Sequence, residues 1–171
     1  FYKRIRPGEP PNLENSISSI WVDVEPEATV DYSDSEGNLC AITAPDVYVD
    51  SNIEQECLEE GCGVINNPFK TINRALEMIL PTEDNPITIH LAPGTYNPES
   101  GEIFPIIMMD YVNIEGGEEE STILQWDYPN DNAPVLLFEY VNHSIITNLT
   151  ITNCSAGGNY ADDKAGSIYM H

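Results

Sequence analysis

Along this chain apolar residues recur at helical spacing in one clear stretch and at alternate positions in many. The helical stretch runs from Asn67 to Leu80, where Phe69, Ile72, Leu76, Ile79 and Leu80 form one stripe while Lys70, Arg74 and Glu77 face away from it. Asn67 suits the N-cap, Pro68 suits the first helical position, and Pro81 marks the end. Ahead of the helix, Asp46–Asp50 predicts a strand with Val47 and Val49 on one face. Beyond it, apolar and β-branched content predicts strands at Thr88–Leu91, Phe104–Met108, Val112–Glu115, Thr122–Trp126, Val135–Tyr140, Ser144–Thr152 and Ser167–Met170. The breaks between them are Pro93-Gly94, Gly116-Gly117, Pro129-Asn130 and Gly157-Gly158.

These strands follow one another without a second helix. Phe104, Val135 and Ser167 are spaced by about 31 residues, Val112 and Val135 by 23, so the period is loose. No tight Asn-Gly hairpin turn occurs, and turns of this length fit parallel stacking better than hairpins; a sandwich is the alternative. The predicted fold is all-β, a solenoid with one N-terminal amphipathic capping helix. A solenoid exposes unpaired backbone and a slice of apolar core at each end. The stripe of Phe69, Ile72, Leu76 and Ile79 is suited to lie across one such slice as a lid. Three segments are expected: an extended, proline-rich leader over 1–16, a short β-strand segment over 17–44 with strands near Ile17–Val24, Ala28–Tyr32 and Leu39–Thr43, and the capped solenoid over 45–171. The chain stops at Ser167–His171 inside a predicted strand, which predicts a solenoid incomplete at its C-terminus.

The run Val47-Tyr48-Val49-Asp50, then Asn67-Pro68-Phe69-Lys70-Thr71-Ile72-Asn73-Arg74-Ala75-Leu76, then Ile87-Thr88-Ile89-His90-Leu91-Ala92-Pro93-Gly94-Thr95-Tyr96 resembles the N-terminal module of pectate-lyase-like right-handed parallel β-helix proteins. It also resembles an uncharacterised domain family that heads many secreted bacterial solenoids. The stretch from Ile145 to Asn153 and Gly166–Met170 resemble coil strands of the same superfamily, so the resemblance covers residues 46–171. It implies a right-handed parallel β-helix in an extracellular or cell-surface setting. It is specific for a fold and not for an activity.

Charge narrows the partners. Six Lys and Arg stand against 29 Asp and Glu, a formal net charge of -23, and three of the cations are Lys3, Arg4 and Arg6. Such a surface repels phosphate backbones and anionic lipid heads, so nucleic acid is not an expected partner. It suits a solvating, salt-tolerant surface or one loaded with Ca²⁺. No apolar run is long enough to span a bilayer. Of four cysteines, Cys57 and Cys62 flank a short turn-prone loop that a disulfide could staple, which fits an oxidising compartment; reduced thiols are the alternative. Cys40 and Cys154 pair by arithmetic alone.

If the strands stack, Phe104–Met108, Val135–Phe138 and Ser167–Met170 are equivalent, and the loops before them emerge on one side. Those loops carry Glu99, Glu102, Asp127, Asp131, Asp162 and Asp163 near Trp126, Tyr128 and Tyr160. Aromatic faces beside carboxylates are how a protein grips a sugar, so Glu99, Trp126, Asp127, Tyr128, Asp131 and Tyr160 are candidates for binding a polysaccharide or surface glycan. Asp131, Asp162 and Asp163 are candidates for a calcium site, since adjacent loops can supply hard oxygen ligands. Solvated turns are the plainer reading of all these residues.

Catalysis finds less support. Lyases of the resembling superfamily use Ca²⁺ and a basic side chain on acidic polysaccharides, yet Lys164 is the one Lys or Arg between Ala75 and His171. A glycoside hydrolase needs two carboxylates at a set separation, and abundance makes any chosen pair uninformative. His90, His143 and His171 have no nucleophile partner by spacing, so packing roles are expected. Sequons begin at Asn142, Asn148 and Asn153, where asparagine- and threonine-rich turns are the commoner origin. The expected role is a structural, adhesive or carbohydrate-binding module, with the N-terminal part of a polysaccharide-degrading enzyme and a fibre-forming subunit as alternatives. Self-association through strand addition or through solenoid ends is expected of such a body.

Overall fold

The computed structural model describes residues 41–58, 61–126, 134–152 and 167–170. Among the described residues ten strands and one helix follow in the order β1 (Asp46–Val49), α1 (Ile72–Met78), β2 (Ile87–Leu91), β3 (Gly94–Tyr96), β4 (Ile106–Ile107), β5 (Val112–Gly116), β6 (Thr122–Gln125), β7 (Leu136–Phe138), β8 (Ile146–Thr147), β9 (Thr150–Thr152) and β10 (Ile168–Met170). They form three sheets of order β1-β2-β5-β8, β4-β7-β10 and β3-β6-β9, and every strand pairing is parallel. The chain therefore visits the three sheets in turn: β2, β3, β4, then β5, β6, β7, then β8, β9, β10.

Alternation explains why these short strands hold. In β2 the odd members Ile87, Ile89 and Leu91 are buried, and in β5 Val112 and Ile114 are buried opposite Ile87 and Ile89. Val47 stacks on Ile89 and Val49 on Leu91, so like residues pile up in one apolar column. In the third sheet Tyr96 stands beside Leu124, both fully buried. One-face burial fixes register, because a slip of one residue would turn each set of apolar side chains out into water.

Repeat lengths are legible in the pairings. Ile106 pairs with Leu136 and Leu136 with Ile168, steps of 30 and 32 residues, matching the spacing expected from Phe104, Val135 and Ser167. The spacing of 23 from Val112 to Val135 is not a repeat, because Val112 lies in the first sheet while Val135 immediately precedes β7 of another. The expected strand Ser144–Thr152 is two strands, β8 and β9, separated by a corner where Asn148 takes a left-handed φ of 57°. That corner lays the Asn148 carbonyl oxygen against Gly116, where an added Cβ would sit 2.0 Å from it. Only glycine fits there.

The helix is shorter than its sequence stripe suggests. Thr71, not Asn67, is the N-cap, its hydroxyl accepting from Arg74 N at 3.2 Å. Pro68 and Phe69 lie outside the helix because tertiary hydrogen bonds claim the backbone there. Phe69 N donates to Tyr48 O and Asp50 N donates to Phe69 O, a parallel bridge to the end of β1. At the other end Ile79 leaves the helix to bridge Ile42. Phe69, Ile72, Leu76 and Ile79 are nevertheless all buried in the one core cluster, two on the helix and two on its flanks. The segments expected as strands within 17–40 lie outside the described residues, as do Cys40 and Cys154.

Candidate functional site

The segments between β3 and β4, β6 and β7, and β9 and β10 connect the same two sheets on successive circuits. The first, residues 97–105, is built by its own polar side chains. Asn97 N donates to Ser100 Oγ at 2.9 Å, Ser100 N donates to Asn97 Oδ1 at 2.8 Å, and Glu102 N donates to Asn97 O at 3.0 Å. This reciprocal turn pushes Glu99 into solvent, on the rim of an open groove of about 460 Å³ that runs beside α1 past Lys70, Asn73 and Arg74. The groove's charges are largely engaged within the chain. Arg74 Nη1 pairs with Glu77 at 3.2 Å, and Lys70 Nζ donates to Glu54 O at 3.0 Å.

Glu102 turns the other way. Expected on the loop surface, it is 3% exposed, and its carboxylate accepts hydrogen bonds from Ile72 N and Asn73 N and, at 2.7 Å, from Asn73 Nδ2. It thereby caps the first turn of α1 from a segment thirty residues away. Burial, opposed by the Ile72 and Asn73 donors and aided by the nearby Glu56 carboxylate, raises its carboxyl to about 7. Glu56 is itself bound to Lys70 N and the Thr71 hydroxyl, so two carboxylates converge on the start of this helix. No local sequence signal marks Glu102, because its partners are distant in the chain.

Trp126 does not supply an open aromatic face. It is 9% exposed and stacks on Phe104, with ring centroids 5.5 Å apart. Its direction follows from parity: Thr122 and Leu124 of β6 point inward, and Trp126 is the next position of that set. Asp127, Tyr128, Asp131, Tyr160, Asp162 and Asp163 lie outside the described residues. Among the described residues no group of three His, Cys, Asp or Glu side chains is placed to hold a metal ion. Cys57 and Cys62 form a disulfide with their Cα atoms 5.8 Å apart.

A second polar cluster lies on the outer face of the first sheet. Register places Tyr48, His90 and Glu115 side by side on β1, β2 and β5. The His90 ring stacks on Tyr48 at 5.0 Å, its Nε2 lies 2.8 Å from Asp46 Oδ1, and its Nδ1 lies 3.4 Å from Glu115 Oε2. Likewise His143 stacks on Tyr111 at 5.1 Å near Asp110. Both imidazoles tie neighbouring circuits together. Spacing alone could not reveal these partners, since they are 25 to 44 residues apart and meet only through strand register.

A family model described as "Protein of unknown function (DUF1565)" matches residues 59–126, a span that includes α1 and β2 through β6. No curated protein and no solved structure matches the chain. No helix among the described residues is long and apolar enough to cross a membrane.

Proposed function

We propose that this chain is the capped end of a right-handed parallel β-helix that works outside the cell as a non-catalytic module, presenting a row of corner loops to a polysaccharide or surface glycan. The observation that carries this reading is the shared register of Ile106, Leu136 and Ile168. It brings the strands that follow the segments 97–105, 126–135 and 153–167 into one sheet. Right-handedness is supported by the strong preference of parallel crossovers for that hand. The matched family is associated with pectate-lyase-like β-helix proteins, which agrees with the resemblance in the sequence. The Cys57–Cys62 disulfide supports an oxidising, extracellular compartment.

With Trp126 packed inward, the stacking faces for a sugar ring in this reading come from Tyr128 and Tyr160, and the hydroxyl partners from Glu99, Asp127 and Asp131. In sequence Asp131 falls between β6 and β7 and Asp162 and Asp163 between β9 and β10, and their hard oxygens suit Ca²⁺ in this reading. The test is a glycan array probed with the whole chain, with and without Ca²⁺, alongside the Tyr128→Ala/Tyr160→Ala double variant. Binding by the native chain that drops at least tenfold in the variant is expected. Binding that survives the double substitution, or no binding at all, overturns the glycan-presenting role.

A further inference from the structure

Among the described residues Tyr140 is the one Phe, Tyr or Trp that is exposed, at 77%. Register explains how it comes to stand in water. Ile107 pairs with Leu137 and Ile114 with Ile146, steps of 30 and 32 residues, so the corner between β7 and β8 holds two residues more than the corner between β4 and β5. Tyr140 lies in that longer corner with a left-handed φ of 59°, a conformation that a bulky residue rarely adopts. Val141 beside it packs against the core, and the Tyr140 ring is turned outward. Polar atoms fix the corner in place. Asp110 Oδ1 accepts from Asn142 N at 2.7 Å and from His143 N at 3.3 Å, and Ser144 Oγ donates to Met109 O at 3.0 Å. Asp110 Oδ2 takes no hydrogen bond among the described residues. The His143 ring lies flat on Tyr111, yet its side chain is still 65% exposed.

We propose that this corner is a separate sugar-binding site, where the Tyr140 ring stacks on one pyranose ring of a neutral polysaccharide and the Asp110 carboxylate and His143 imidazole take its hydroxyls. The proposal rests on the sugar-binding reading above and adds a different edge of the stack to it. The segments of the loop row connect the β3-β6-β9 sheet to the β4-β7-β10 sheet, whereas this corner returns the chain from the β4-β7-β10 sheet to the β1-β2-β5-β8 sheet. An aromatic ring held out on a fixed backbone gives up little freedom on binding. Charge separates the partners that suit such a ring. A dry protein contact would bury Asp110 and the exposed Glu139 away from water, at a cost. An acidic polysaccharide meets a chain of net charge -23 and is repelled. A neutral sugar offers a C–H face to the ring and hydroxyls to the carboxylate.

Affinity electrophoresis of the whole chain through gels holding a neutral β-glucan, a neutral galactomannan or polygalacturonate tests this. The protein is made in a host without N-linked glycosylation, because Asn142 begins a sequon in this corner. At least one neutral gel should retard the native chain, and polygalacturonate should not. Tyr140→Ala should weaken the retarding interaction roughly tenfold, both alone and in the Tyr128→Ala/Tyr160→Ala background, and Tyr140→Phe should preserve it. Unchanged binding in Tyr140→Ala with a loss in the Tyr128→Ala/Tyr160→Ala variant overturns the corner site and leaves the loop row standing. The opposite result removes the loop row and leaves the corner. No retardation of the native chain by either neutral gel overturns the proposal, as does an effect of Tyr140→Ala confined to self-association in light scattering, which marks a protein contact. Should Tyr140→Ala fail to fold, NMR of the native chain decides. An oligosaccharide of the retarding polymer should shift the Tyr140 and His143 ring signals, and unmoved signals overturn the site.

Discussion

The first and last described circuits of this stack differ in how they are covered. At one end α1 and its flanks place Phe69, Ile72, Leu76 and Ile79 over the core, each under a tenth exposed. Glu102 and Glu56 satisfy the amides where that cover begins, and a disulfide ties the preceding loop. In the last described circuit β8, β9 and β10 have two or three residues each, with Ile168 43% and Met170 75% exposed. The same alternating pattern thus has different worth by position. An apolar residue stabilises a circuit only when something lies over it on both sides, and α1 is what supplies that at the first end.

Truncation should separate the ends most sharply. Phe69→Ala removes a fully enclosed ring and should cost about 3–5 kcal/mol, whereas Met170→Ala should stay within about 0.5 kcal/mol, both read from urea midpoints. Similar losses at the two sites would mean that the far end is as well covered as the near one. The next effect is that of the staple. Replacing both Cys57 and Cys62 by Ala should cost about 2 kcal/mol, the loop-closure value for so short a ring. Because Glu56 adjoins Cys57 and binds Lys70 N and the Thr71 hydroxyl, that loss should appear chiefly as faster exchange at the start of α1. A uniform loss across all three sheets would break the comparison from the other side.

How much of this was legible beforehand depended on whether a feature was local. The strands β1, β2 and β5 could be read directly, since Val47 and Val49, Ile87, Ile89 and Leu91, and Val112 and Ile114 repeat with period two where one face is buried. The common register of β4, β7 and β10 could be read from Phe104, Val135 and Ser167. The helix start could not, because Asn67-Pro68 has good capping chemistry and loses to the backbone bonds between Phe69, Tyr48 and Asp50. The strand Gly94–Tyr96 is too short to show a pattern and exists by pairing with β6. The inward turn of Trp126 was available from the parity of Thr122 and Leu124, and was hidden by the acidic residues that follow it. The partners of Glu102 and His90 depend on register across 25 residues or more, which no local pattern encodes.

The smallest effect bears on charge, where the two ends share one problem. A net charge of -23 makes most carboxylates mutually repulsive, so removing one should generally stabilise the fold slightly at low ionic strength. Glu77 is the exception near the lid, since it pairs with Arg74 at 3.2 Å across one helical turn, a contact worth roughly 0.2–0.5 kcal/mol. Glu119 sits between Glu118 and Glu120 in the exposed turn after β5, where its neighbours are like charges. Glu77→Gln should therefore lower the melting temperature and Glu119→Gln should raise it, although each removes a single negative charge. Both shifts should shrink together as salt is raised toward 1 M, where the screening length falls to about 3 Å. If the two variants move the melting temperature in the same direction at low salt, net charge outweighs local pairing even at the lid, and the Arg74–Glu77 contact contributes nothing of its own.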